Sequence, residues 1–190
     1  MLRVADNLII SIWLAGMVFW LVASIGVKRA KFRAPPAQQV PYHLISFASG
    51  VLMVGPLAHV GWLGHQLLPR NNAVEITGVG VLAAGMAFTL WARVCLGRNW
   101  SATVTLKEDH RLIRAGPYAL TRHPIYTGLM TSMAGTGLAL GETRHVLAVG
   151  LFVFAYWRKS RVEERWLLQE FGAEYQRYQQ EVSALIPFIW

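Results

Sequence analysis

The sequence predicts an all-α integral membrane protein with about five transmembrane helices. Three observations predict it. The 190-residue chain is 54% hydrophobic and only 15% charged, too apolar for an ordinary soluble domain of this size. Apolar stretches near the length needed to cross a hydrocarbon core of ~30 Å recur between polar loops. Lys and Arg are also unevenly placed. Of 18, only Arg3, Arg70 and Arg144 fall on one side of such an arrangement, and the remaining 15 fall on the other. The positive-inside rule then puts the N-terminus outside and the C-terminus in the cytoplasm.

The spans follow in order. Leu8–Val27 carries no charge and holds Trp13 and Trp20. Its length, and the basic residues Lys28, Arg29, Lys31 and Arg33 after it without a small-residue cleavage site, favour a retained anchor over a signal peptide. Lys28–Pro41 reads as a basic loop. Leu44–Leu63 is the second span, kinked at Pro56 and containing His59. Val74–Leu96 is the third, with Gly78, Gly80 and Gly85 permitting close helix approach. Gly97–His123 is a long polar stretch, of the kind that is usually functional or disordered. Pro124 suits the first turn of a fourth span ending near Gly141. A fifth helix begins at His145, is apolar over Val146–Trp157, and runs unbroken to Gly172 as a charged projection. Ala173–Ser183 is an amphipathic helix with Tyr175, Tyr178 and Val182 on one face, and the tail from Ile186 to Trp190 is an interfacial anchor. The last two apolar runs are short, and a re-entrant hairpin is their alternative reading. The chain reads as one membrane domain over 1–190, with three spans in 1–96 and the hairpin and amphipathic tail in 97–190.

Chemistry gathers in two clusters. The first is Gly116-Pro117-Tyr118, then Arg122-His123-Pro124-Ile125-Tyr126, where a polar loop becomes an apolar helix. His123 precedes a proline, so its backbone is biased to an extended form. Its side chain can cap the helix or meet a ligand at the helix N-terminus, which attracts anions. The second cluster is Arg161-Val162-Glu163-Glu164-Arg165. Adjacent carboxylates on a helix point about 100° apart, so Glu163 and Glu164 have different jobs. A solvated face paired with Lys159, Arg161 or Arg165 is the plain reading. A ribose diol or an ammonium group is the sharper one. By the charge bias both clusters lie on the cytoplasmic side.

Other signals are weak. Cys95 sits alone in an apolar run and reads as a small buried hydrophobe. The six histidines lack spaced partners, so no metal site is expected. No dinucleotide fingerprint or phosphate loop occurs, and the basic residues flank apolar runs, so nucleic acid is not the expected partner.

The segments Gly97-Arg98-Asn99-Trp100-Ser101, Gly116-Pro117-Tyr118, Arg122-His123-Pro124-Ile125-Tyr126, Glu163-Glu164 and Phe171-Gly172-Ala173-Glu174-Tyr175 together resemble the isoprenylcysteine carboxyl methyltransferase family. That family is related to phospholipid methyltransferases, and the likeness is to a short, bacterial- or archaeal-type member. It covers residues 97–190. It implies an integral membrane enzyme using S-adenosylmethionine in a cytoplasm-facing pocket, with a lipophilic or small methyl acceptor reaching it from the bilayer. Carried over by motif, cofactor contacts come from His110, Arg111, Leu112, Ile113, Tyr118, His123, Pro124, Ile125, Tyr126 and Glu163, with Glu164 beside it. Lys159 stands where the family often has a substrate-associated arginine. Arg158, Lys159 and Arg161 are the substrate-side candidates, and lysine lacks the planar fork that grips a carboxylate at two points. No covalent nucleophile is expected, because the sulfonium already activates the methyl group. The acceptor stays open among an isoprenylcysteine-type carboxylate, a phospholipid amine and a small thiol. A membrane reductase using a nicotinamide cofactor, and a non-enzymatic adaptor or transporter, are the rival readings.

Overall fold

The structure is a computed structural model describing residues 4–25, 30–33, 35–55, 60–100, 105–107 and 112–186. Among these residues, six α-helices run in the order α1 (Val4–Ala23), α2 (Pro36–Val54), α3 (Asn72–Leu96), α4 (Pro124–Leu140), α5 (Thr143–Phe171) and α6 (Ala173–Glu181). The expected helices are present, with shifts that have local causes. α2 starts well before Leu44, because the Pro35-Pro36 pair opens a helix at its first position. It ends at Val54, because Gly55, the residue before Pro56, is extended. Pro56 and His59 lie outside the described residues. α4 has the expected bounds, and Gly141 closes it in the left-handed region. α5 has 29 residues and runs to Gly172, roughly 40 Å at 1.5 Å per residue. Gly172, at φ 49° and ψ −123°, turns the chain sharply into α6 in a conformation that side chains disfavour.

The helical architecture carries one small addition beyond the expected elements. Ala30–Arg33 (β1) and Thr105–Lys107 (β2) form an antiparallel two-stranded ribbon, with Phe32 opposite Leu106. It ties the first basic loop to the long polar stretch. The sequence around β2 is Thr103-Val104-Thr105-Leu106, and its β-branched residues are the local signal for a strand.

α3 and α4 form the tightest pair. Gly78, Leu82, Gly85 and Thr89 on α3 face Gly128, Ser132, Gly135 and Ala139 on α4, both rows at helical spacing. A Cβ added to Gly78 would lie 2.5 Å from the Ala139 nitrogen, and one on Gly85 2.6 Å from the Ser132 nitrogen. The obstacles are backbone atoms, so the helices touch only because these residues are small. Gly80, in contrast, faces open space. Gly135→Ala, aimed at the Leu82 backbone, is therefore expected to cost about 1–3 kcal/mol by overpacking and to lower the melting temperature. Gly80→Ala should leave it unchanged or slightly raised. Thermal melts in detergent compare the two.

α1 packs on α3 through Ile9 and Leu82, and the Trp13 indole donates to Thr136 Oγ1 at 3.1 Å. α2 packs on α5, with Ser49 Oγ donating to the Ala148 carbonyl at 2.7 Å. Cys95 is half-buried against the cluster of Ala92, Tyr118 and Ile125. The outer surface is apolar. α1 buries only Ala5, Ile9 and Gly16, while Leu14, Met17, Val18 and Leu21 face outward with Leu44 and Phe47 of α2. A surface of that kind suits lipid. α1 and α3 are long and apolar enough to cross a membrane by length and composition. α2, α4 and α5 are shorter or more polar along their length.

The ends of the bundle differ. At one end, Arg70 pairs with Asp6 at 2.7 Å, and Arg144 pairs with Glu142 and donates to the Gly55 carbonyl, both at 2.7 Å. The other end carries the charged half of α5, α6 and the loop before α4. Both polar clusters are therefore at the same end.

Candidate functional site

The site is built where α4 begins. His123 is the residue before α4, and its side chain makes no capping hydrogen bond. The ring turns instead toward α5. Nε2 lies 3.2 Å from Glu164 Oε1 and donates to it, and Nδ1 lies 3.7 Å from Glu163 Oε2. Tyr126, three residues on, stacks on His123 with centroids 5.3 Å apart and planes 3° from parallel. The Tyr126 hydroxyl donates to Glu163 Oε2 at 2.6 Å. The two sequence clusters thus meet.

The two glutamates do differ. Glu164 is buried and held from several sides. Arg122 Nε donates to its Oε1 and Arg122 Nη2 pairs with the same oxygen, both at 2.8 Å, and Arg161 and Gln179 approach Oε2 at 3.8 and 3.5 Å. Glu163 keeps a third of its side chain exposed. Burial alone would raise the Glu164 carboxyl, but His123 and Arg122 outweigh it and hold the group at about 2, against 4.5 for an ordinary glutamate. A depressed carboxylate stabilises the fold above its unfolded value and loses that contribution as pH falls through its folded one. Melting temperature should therefore drop between pH 4.5 and 2, and Glu164→Gln should flatten that part of the profile. Melts from about pH 2 to 6, spanning both values, check it.

Arg122 is 9% exposed and also donates to the Gln179 carbonyl at 3.1 Å and to the Val182 carbonyl. Behind it the segment after α6 lies along the loop as a strap. The Arg122 and His123 amides donate to the Ser183 and Ala184 carbonyls at 2.9 and 3.0 Å. Thr121 and Thr127 hydroxyls donate to the Ala184 and Leu185 carbonyls, both at 2.5 Å. On α6, Tyr178 donates to the Tyr118 carbonyl at 2.5 Å. The Tyr175 hydroxyl is buried without a hydrogen-bond partner among the described residues. Burial first, then Glu164 and Glu163, push it well above the usual phenol range.

Lys159 occupies the same face of α5 as Glu163. Its Nζ lies 5.1 Å from the Tyr126 ring centre, 5.5 Å from Tyr156 and 5.7 Å from Tyr42, a cage of three rings from three helices. Burial pushes the Lys159 ammonium down and Glu163 pulls it back.

The comparisons with known proteins bear on this region. A sequence profile of the phospholipid methyltransferase family matches residues 74–174, more than half of the chain and nearly all of the stretch from α3 to α5. The chain belongs to the phospholipid methyltransferase family. Within it, the chain is 37% identical over 99 residues to the protein-S-isoprenylcysteine O-methyltransferase of Saccharomyces cerevisiae, covering 49% of this chain and 40% of that protein. It is 32% identical over 119 residues to a probable protein-S-isoprenylcysteine O-methyltransferase of Oryza sativa, covering 61% and 62%. A solved structure of the eukaryotic intramembrane Ras methyltransferase, isoprenylcysteine carboxyl methyltransferase, is similar at a TM-score of 0.54 and 28% identity, over 79% of this chain and 53% of that one. The chain spans about half the length of several relatives it matches.

In this family member the remaining candidates fall as follows. Tyr118 and Ile125 are buried together beside Ala92, with Ile113 packed on them, and Leu112 is half-buried. Pro124 is the buried first residue of α4. Arg158 is exposed, and Arg161 leans toward Glu164. His110 and Arg111 lie outside the described residues. Tyr42, Tyr156, Gln179 and the strap join the site without being among the sequence candidates. Tyr156 does carry a signal, standing three residues before Lys159 and seven before Glu163 on one helix face. Tyr42 and the strap meet the site only through the tertiary fold.

Proposed function

We propose that this chain is a five-span membrane methyltransferase that takes its methyl group from S-adenosylmethionine and passes it to a lipophilic or small acceptor on the cytoplasmic side. The observation that carries the reading is the Tyr126–Glu163 hydrogen bond of 2.6 Å, with His123 stacked on the same tyrosine, inside the matched region. The residues fit the group. Glu163 offers a half-open carboxylate to a diol or an ammonium, the stacked rings offer a flat wall, and the Tyr175 hydroxyl has hydrogen-bonding capacity left over. When bound, S-adenosylmethionine supplies a methyl group already activated by its sulfonium, so the protein's task is alignment.

The division of labour follows. Glu163, Tyr126 and His123 hold the donor, with Tyr118, Leu112, Ile113, Pro124 and Ile125 completing its surroundings, and the resemblance adds His110 and Arg111. Glu164 and Arg122 fix the His123 ring. Lys159 is the acceptor-side group, because it shares the Glu163 face, whereas Arg158 is exposed and Arg161 leans toward Glu164. An anionic acceptor, carboxylate or thiolate, is attracted there and needs no base. An amine acceptor must first lose a proton. The relatives' names point to an isoprenylcysteine-type acceptor, and lysine in place of arginine keeps the charge without the two-point grip.

The test is methyl transfer from a labelled donor, with purified protein and candidate prenylated thiol-acids, phospholipids and small thiols. Labelled product from one class assigns the acceptor. No labelled product from any of them, with intact donor recovered, counts against a methyltransferase.

A further inference from the structure

α5 carries a second polar site on another face. Tyr156, Lys159 and Glu163 face the site already described. Trp157, Ser160 and Arg161 face roughly a third of a turn away. There they meet Arg122, Gln179 and Ser183 around a cavity of about 230 Å³. The partition between the two sites is Glu164, held by Arg122 and His123.

The chemistry of this cavity is that of an anion site. It contains two guanidinium groups, an amide, two hydroxyls and an indole. Glu164 neutralises Arg122 at 2.8 Å. Arg161, 3.8 Å from the same carboxylate and 60% exposed, leaves the cavity one net positive charge. Arg158 and Arg165 are exposed nearby but do not line the cavity. A single negative charge with several oxygen acceptors matches it. The volume is below the roughly 300–1,000 Å³ of whole-ligand pockets, so a headgroup fits better than a nucleotide. Depth selects the source. Trp157 ends the apolar part of α5, and Val153 and Phe154, one turn earlier, are exposed on its surface. Tryptophan and arginine at such a boundary sit at the level of lipid phosphates.

We propose that this cavity binds the phosphodiester of an anionic phospholipid, gripped by Arg161 with Gln179 and Ser183, back to back with the methyl-donor site. The inference rests on the membrane placement given above and not on the methyl-donor assignment. The lipid here is a ligand and not the methyl acceptor.

The test is a set of thermal melts of the full chain in neutral detergent. Dioleoyl phosphatidylglycerol, dioleoyl phosphatidylcholine or inorganic phosphate is added. Phosphatidylglycerol is expected to raise the melting temperature by several degrees, and the other two are not. Arg161→Glu, and Ser183→Trp, which fills the cavity, should lose at least half of that shift. Arg165→Glu, one turn along and not lining the cavity, should keep it. The inference is overturned if phosphatidylcholine stabilises equally, if inorganic phosphate reproduces the shift, or if Arg165→Glu loses as much as Arg161→Glu. S-adenosylhomocysteine binding measured on the same samples separates the two readings. Binding that persists without a lipid shift removes the lipid site and leaves the methyl-donor reading standing.

Discussion

Arg122→Ala is expected to destabilise the protein by about 3–5 kcal/mol, the range for breaking a buried ion pair from one side. Two effects combine. Glu164 keeps only His123 close by as a strong partner, in a site where its own side chain is 6% exposed. The Gln179 and Val182 carbonyls, which end α6 and start the strap, also lose their donor. Unfolding followed by fluorescence-detected size exclusion should show a melting temperature many degrees lower. Arg122→Met combined with Glu164→Leu should recover part of the loss, because removing both charges leaves neither one buried alone. A single variant that melts like the parent would mean that the strap is held by its backbone contacts alone.

Glu163→Ala is expected to reverse that pattern, sparing stability and weakening donor binding. Its side chain is 32% exposed and accepts one short hydrogen bond, from Tyr126, so less of the fold depends on it than on Glu164. Its direct bond to a bound ligand, worth on the order of 2 kcal/mol for a charged group, corresponds to a loss of about 30-fold in affinity. Glu163→Gln keeps an acceptor oxygen and should lose less. Binding and melting measured on the same sample separate this residue from Glu164, whose replacement should move both.

The contrast between the glutamates shows what is legible in the sequence. Their adjacency on one helix requires different directions, and the structure gives Glu164 to Arg122 and leaves Glu163 half-open. Both bounds of α4 and the end of α5 are also legible, because Pro124, Gly141 and Gly172 act on their own neighbours, whereas α5 begins at Thr143, two residues before the expected His145. The start of α2 is not, because the basic, proline-containing run before it has the composition of a loop. In α3, Gly80 carries the same sequence signal as Gly78 and Gly85, but only the latter two face α4. Helix rotation decides that, and glycine count does not. The strap reaches the site from 58 to 63 residues further along the chain, and the Tyr42 ring comes from a different helix, so no local pattern encodes either. The β1–β2 ribbon joins two loops that composition marks only as polar.

Whether Glu163, Tyr126 and His123 form a methyl-donor site is decided by calorimetric titration of the purified chain with S-adenosylhomocysteine. One saturable site is expected, much weakened in Glu163→Ala while the variant's melting temperature stays near that of the parent. No binding to the folded parent, or the same isotherm for parent and variant, would remove the assignment.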